Sequence, residues 1–173
     1  MFKLIVGKLF DVSLLYVLYP FLANIIFQFG FKGDLKTLSS IVQAANATNN
    51  QDTITQILTS VDYRVYILSS LIAVSIVFLL SVLIPWFLFN TFLGDRLLNL
   101  KKLNGNKLLV LLQQPAFYIY VSVIIPYLFI LTKNINLSNI SNILSTTFLI
   151  MSVFSLIVVT KQEQKQGINN AWY

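Results

Sequence analysis

Long apolar stretches without formal charge alternate along the chain with short charged segments. Residues 65–94 and 108–132 contain no Asp, Glu, Lys or Arg, and residues 140–159 form a third uncharged stretch rich in Ile, Leu and Val. About 20 apolar residues are enough to carry an α-helix across a bilayer. The pattern predicts transmembrane helices at about 65–93, 108–132 and 140–160.

A further apolar stretch, about 10–30, lies near the amino terminus. A secretory signal peptide has a basic start and an apolar stretch that ends in small residues. Here the stretch contains Pro20, Asn24 and Gln28 and ends in bulky phenylalanines. We therefore expect a retained first span.

Composition supports a bilayer environment for all four segments. The chain of 173 residues is 57% hydrophobic and 10% charged, whereas soluble domains have about 25% charged residues. So few charges cannot cover the surface of a soluble fold. The predicted fold is an all-α integral membrane protein, a single multi-pass domain with four transmembrane helices and membrane lipid as its main contact.

The distribution of Lys and Arg predicts the orientation, because cytoplasmic segments of membrane proteins carry an excess of these residues. With the amino terminus inside, both termini are cytoplasmic, 94–107 is a cytoplasmic loop and 30–63 is an outer loop. The inner segments then hold Lys3, Lys8, Arg96, Lys101, Lys102, Lys107, Lys161 and Lys165, and the outer segments hold Lys32, Lys36, Arg64 and Lys133.

The two longer loops have different patterns. In the outer loop, Asp34 and Asp52 each precede apolar residues at helical spacing, which predicts two short amphipathic helices with these aspartates as N-caps. In the cytoplasmic loop, Asn104-Gly105 suits a hairpin turn. An interfacial basic helix interrupted at Gly105 is the alternative.

Missing residue types exclude much chemistry. The chain has no Cys and no His, so the common zinc sites, thiolate chemistry and histidine general-base arrangements are excluded. We expect no enzymatic activity, no cofactor and no metal. The net charge of +6 comes from residues that flank apolar stretches, where they meet lipid headgroups, so nucleic acid is not an expected partner.

Few polar residues are candidates for a functional contact. Asp11 begins the first span and has Lys8 or Arg96 as possible partners, either in a structural interfacial ion pair or, alternatively, at a site that couples ion movement. The uncharged candidates lie within the predicted first and third spans, where hydrogen bonds between helices explain most such residues. They are Asn24, Gln113 and Gln114.

Prolines occur in three of the four predicted spans. Pro20, Pro85, Pro115 and Pro126 each remove an intrahelical hydrogen bond. A tolerated kink is the simpler interpretation, and a hinge for gating is the alternative.

Three short stretches, taken in order, resemble the RDD family of small bacterial membrane proteins. They are Lys8-Leu9-Phe10-Asp11, the run Gly94-Asp95-Arg96-Leu97-Leu98 with the later Asn104-Gly105, and Lys165-Gln166-Gly167-Ile168-Asn169-Asn170. In the last stretch Asn170 stands where the family pattern has aspartate. The resemblance implies a multi-pass protein of the bacterial cytoplasmic membrane, with a role in transport or as an accessory protein.

These observations lead to one functional hypothesis and two alternatives. The first is a non-enzymatic RDD-like accessory protein, a small subunit of a larger membrane transport or secretion assembly, whose partners are other membrane subunits or further copies of itself. One alternative is a homo-oligomeric channel or transporter for a small solute or cation. The other is an immunity or resistance protein that binds a membrane-active peptide through the outer loop.

Overall fold

The computed structural model of the chain describes residues 2–47, 60–98, 107–112, 114–132 and 138–169. All regular structure in these ranges is helical. The helices are α1 (Phe2–Ile25), α2 (Leu35–Ala47), α3 (Val61–Phe78), α4 (Ile84–Phe89), α5 (Leu93–Leu97), α6 (Lys107–Leu112), α7 (Pro115–Leu131) and α8 (Ser138–Asn169).

Three helical segments are long and apolar enough to cross a membrane. They are Ile5–Gly30, Val61–Phe89 and Ile140–Val158. Two of them run on through a π-helical turn: Ile26–Gly30 continues α1, and Leu79–Leu83 joins α3 to α4. These three helices confirm the helical segments predicted at about 10–30, 65–93 and 140–160.

The stretch predicted as the span 108–132 is not one continuous helix. It contains α6 and then α7, whose 17 residues are fewer than the roughly 20 that a bilayer requires. Pro115 explains where α7 begins. Proline favours the first turn of a helix and disfavours helical geometry in the residue before it, and Gln114 is accordingly extended, with φ −77° and ψ 133°.

The prolines inside helices do not end them. Pro20 lies within α1 and Pro126 within α7, and both helices continue past them. Pro85 lies just after the π-helical turn Leu79–Leu83 that joins α3 to α4. The four prolines therefore have different structural roles, and Pro115 marks a helix start rather than the expected kink.

The second long helix lies at the centre of the bundle. Half of the residues in its most apolar window are buried, compared with 17% in the windows of α1 and α8. α3 packs between α1 and α7, and α8 packs mainly on α7. The core between them contains Leu15, Val74, Val77, Phe78, Val82, Trp86, Phe92, Ala116 and Ile119.

The first of the two amphipathic helices predicted in the outer loop is present as α2. The Asp34 carboxylate accepts hydrogen bonds from the backbone N–H of Lys36 at 2.9 Å and from the Thr37 hydroxyl at 2.7 Å, which confirms Asp34 as its N-cap. The Thr37 hydroxyl and the Lys36 amide lower the pKa of Asp34. The helix predicted after Asp52 and the turn at Asn104-Gly105 lie outside the described residues.

Candidate functional site

Two glycines allow α1 and α5 to touch backbone to backbone. A Cβ atom added to Gly94 would collide with the backbone carbonyl of Gly7, and a Cβ atom on Gly7 would lie 2.9 Å from Asp95 Oδ1. Side chains at either position would hold the two helices apart. The contact joins the start of the first long helix to the segment that follows the second.

Three ionisable side chains are buried around this contact, and we call Lys8, Asp11 and Asp95 the charged cluster. Lys8 and Asp11 are each 1% exposed, and Asp95 is 4% exposed. Lys8 Nζ forms an ion pair with Asp95 Oδ2 at 2.5 Å. Asp11 Oδ1 accepts a hydrogen bond of 2.8 Å from the Gly94 amide. All three side chains therefore fasten α1 to α5.

Aromatic rings close one side of the charged cluster. The Lys8 ammonium lies 5.0 Å from the centre of the Phe92 ring, close enough for a favourable cation–π contact. Phe92 in turn stacks on Trp86, with ring centres 4.8 Å apart. The rings keep water from the ion pair, so the interaction takes place in a medium of low polarity.

Two carboxylate oxygens of the cluster are left without hydrogen bonds. Asp11 Oδ2 and Asp95 Oδ1 are buried and have no hydrogen-bond partner in the described part of the chain. Buried polar atoms usually have such a partner. The Thr91 hydroxyl and the Gln114 side-chain nitrogen are also buried without a hydrogen-bond partner in the described part of the chain. Thr91 lies just before α5, and Gln114 just before α7.

The ion pair differs from the pairings expected from the sequence. Lys8 was a predicted partner of Asp11, but its ion-pair contact is with Asp95. Arg96, the other predicted partner, is exposed and places its guanidinium 3.7 Å from the centre of the Phe89 ring. Because successive residues of a helix point in different directions, Asp95 faces α1 and Arg96 faces outward. The contact is also fully buried within the protein.

The remaining predicted candidates are dispersed. Asn24 is half-buried in α1, about four helical turns from Lys8. Gln114 is 2% exposed and precedes α7 instead of lying within a span. Gln113 and Asn170 lie outside the described residues. The structure therefore brings together Lys8 and Asp11 and adds Asp95, Gly7 and Gly94, which the sequence analysis did not select.

A second polar cluster lies towards the opposite end of the long helices. It contains Tyr19, Tyr63, Tyr66 and Tyr127, the tyrosine cluster, in which the Tyr127 side chain interacts with that of Tyr19. Tyr66 also packs edge-on against Phe27 at 5.5 Å. From their positions near the ends of predicted spans, Tyr63, Tyr66 and Tyr127 would fit a belt of aromatic residues at the membrane interface. In the structure they lie together with Tyr19 between α1, α3 and α7.

The last helix, α8, has one face on α7 and another that no described element covers. On the packed side, the Ser145 hydroxyl donates a hydrogen bond of 2.8 Å to the backbone carbonyl of Ser122. On the uncovered side, Asn142 and Thr146 are exposed, as are the apolar Leu149 and Val153. At this helical spacing the four residues form one stripe, which we call the α8 stripe.

The described residues contain no group of three or more Asp, Glu, His or Cys side chains placed to hold a metal ion. No protein-family model, curated protein or solved structure matches the chain.

Proposed function

We propose that this protein is a non-enzymatic, RDD-like accessory protein of the bacterial cytoplasmic membrane, a small subunit of a larger membrane transport or secretion assembly. The observation that carries the proposal is the α8 stripe. It places an amide and a hydroxyl side chain on an uncovered surface of a helix that is apolar enough to cross a membrane.

Lipid tails offer no hydrogen-bond partner to Asn142 or Thr146. Inside a membrane, polar side chains on a helix surface are typically satisfied by a neighbouring helix. Ser145, on the adjacent face of α8, is satisfied in this way by α7. A helix of another membrane subunit packed on the α8 stripe would do the same for Asn142 and Thr146.

The charged cluster supports an accessory role over autonomous ion transport. Charged residues that serve a transport pathway face a cavity or water in the membrane. Lys8 and Asp95 instead bind each other, and the rings of Phe92 and Trp86 cover them. Their geometry suits a contact that fixes the position of α1.

We further propose four crossings, with α7 as the third and with both termini in the cytoplasm. The helix α7 contains no charged residue, and its 17 residues are at the lower end of the range for a spanning helix. With the amino terminus inside, α7 would end on the outer side, where α8 begins. On the inner side, α8 continues from Val158 to Asn169, which is about 16 Å of helix beyond the apolar window. This extension carries Lys161 and Lys165, as a cytoplasmic segment should.

Affinity purification of the tagged full-length chain in a mild detergent tests the accessory role. We expect a second membrane protein to co-purify, and we expect Asn142→Leu combined with Thr146→Val to reduce its recovery about tenfold, since two hydrogen bonds between helices contribute roughly 1–2 kcal/mol. The control is Ile143→Leu with Phe154→Leu, which changes exposed apolar residues of α8 outside the stripe and should leave recovery unchanged.

A stable monomer with no co-purifying protein would contradict the proposal. Recovery of the chain only with copies of itself would favour a homo-oligomer, and cation flux in proteoliposomes would then distinguish a channel from a structural oligomer.

A further inference from the structure

The charged cluster contains two carboxyl groups and only one basic side chain. Lys8 is paired with Asp95, and Asp11 lies close enough to both for each to act on it electrostatically. With all three groups ionised, the cluster would have a charge of −1 at a site where each residue is less than 5% exposed. An unbalanced buried charge is so unfavourable that such a group takes up or releases a proton instead.

The carboxylate oxygens that lack hydrogen bonds also indicate an excess of negative charge in the cluster. The cluster leaves one oxygen of each carboxyl group without a partner, Asp11 Oδ2 and Asp95 Oδ1. Two ionised carboxylates can only accept hydrogen bonds, and they repel each other. A proton on one of them supplies a hydrogen-bond donor and removes the repulsion.

We propose that the Asp11–Asp95 carboxyl pair holds one proton in the folded protein, and that this proton keeps α1 docked on α5. The neutral arrangement is then Lys8 with one carboxylate beside one protonated carboxyl group. When the proton leaves, the cluster becomes negative, and the buried contact at Gly7 and Gly94 loosens so that water reaches the charge.

Among the side chains that the structure describes, no ionisable group other than Lys8 faces the pair. The side chain of Lys107 in α6 lies outside that description. On α5, Arg96 turns outward over Phe89, and the Gly94 amide donates to Asp11. From α4 the cluster meets Trp86 through Phe92. The sequence of α7 contains no charged residue, and Lys161 of α8 is exposed. Lys101 and Lys102 lie outside the described residues, so the experiment tests them directly.

Infrared spectroscopy of the full-length chain in liposomes tests the proposal, because a protonated carboxyl group has a C=O stretch that a carboxylate lacks. We expect this band near neutral pH and its loss in alkaline buffer. Asp11→Asn and Asp95→Asn should each abolish the band, since each leaves a single carboxylate for Lys8. Lys8→Met should increase the band about twofold, because two buried carboxyl groups then remain without a cation.

The controls separate this proton from other sources of charge. Asp34→Asn, which changes an exposed carboxylate, should leave the band unchanged. Lys101→Ala with Lys102→Ala should also leave it unchanged. Absence of the band in the wild-type chain at neutral pH would overturn the proposal, because a lysine of the segment 99–106 or an alkali cation would then balance the charge. Loss of the band on replacing choline with sodium at constant pH would overturn it too.

A labelling experiment tests the consequence for docking. The chain has no native cysteine, so Thr91→Cys reports on a site that is 7% exposed beside the cluster, and Leu97→Cys reports on one that is 61% exposed. The maleimide labelling rate at position 91, divided by that at 97, should rise at least severalfold in alkaline buffer. In the Asp11→Asn background the ratio should stay constant, and an equal rise there would contradict a role for this proton.

Discussion

The charged cluster is buried between α1 and α5, and the tyrosine cluster is half-buried between α1, α3 and α7. Both are polar groups within the bundle, but they are stabilised in different ways. The tyrosines are neutral, so the Tyr127 hydroxyl interacts with Tyr19 without needing a counter-charge. Lys8 and its carboxylate partner carry charge, so each needs an opposite charge and surroundings that contain little water. The comparison predicts that the end with the charged cluster is sensitive to small substitutions and that the end with the tyrosine cluster tolerates them.

The largest expected effect comes from the backbone contact at the charged end. Gly94→Ala places a Cβ atom on the Gly7 backbone, which cannot move unless α1 and α5 separate. We expect a loss of about 5 kcal/mol in the free energy of unfolding, at the upper end for a single substitution, measured by equilibrium unfolding in mixed micelles.

The matched control for that variant is Gly30→Ala. Its Cβ atom would lie 3.6 Å from Ile26 Cγ2, an ordinary van der Waals contact, so its stability should stay near that of the wild type. Equal effects of the two glycine substitutions would show that the α1–α5 contact is not close.

The next largest effect is expected from removing the only cation of the charged cluster. Lys8→Met leaves two buried carboxyl groups without their ion-pair partner. Breaking a buried pair from one side destabilises proteins by about 3–5 kcal/mol, and we expect about 3–4 kcal/mol in the same unfolding assay. Lys3→Met removes an exposed charge from the same helix and should have almost no effect.

The tyrosine cluster should respond less. Tyr127→Phe removes one hydroxyl group and its interaction with Tyr19 but retains the ring. The expected loss is about 1 kcal/mol, the net contribution of a typical hydrogen bond. If this variant were as unstable as Lys8→Met, the contrast between the charged and neutral ends would be wrong.

The smallest effect is local and depends on pH. Hydrogen bonds from Thr37 and Lys36 lower the pKa of Asp34 below its ordinary value of 3.8. The ionised cap therefore stabilises α2 fully above that value, and this contribution is lost as the pH falls through the lowered pKa. Amide exchange at the start of α2 should accelerate relative to that of α3 in acid, and Asp34→Ala should remove this pH dependence.

The helical segments were predictable because the length of a stretch without charged residues can be read directly from the local sequence. The same holds for the Asp34 cap, which needs only residues two and three positions away. The start of α7 was predictable in principle, since Pro115 favours the first turn of a helix. The prediction of one span of 25 residues with a kink at Pro115 was wrong about this helix start.

The partners in the charged cluster were not predictable in the same way. Lys8 and Asp95 are 87 positions apart, and both Asp95 and Arg96 follow the second long helix. The rotation of α5, a helix of five residues, determines whether Asp95 or Arg96 points towards α1. One local signal was present, because Gly94 immediately before Asp95 permits a close backbone approach. The α8 stripe, in contrast, required knowing which face of α8 packs on α7.

A double-mutant cycle between Lys8 and Asp95 tests the charged cluster most directly. The account predicts that Lys8→Met and Asp95→Leu are each strongly destabilising but that the double variant is more stable than either single variant, because replacing both partners by apolar residues leaves no unpaired ion in the Lys8–Asp95 contact. The coupling free energy should therefore exceed the cost of either single substitution, which is about 3–5 kcal/mol. Additive effects of the two substitutions would show that Lys8 and Asp95 do not hold α1 and α5 together.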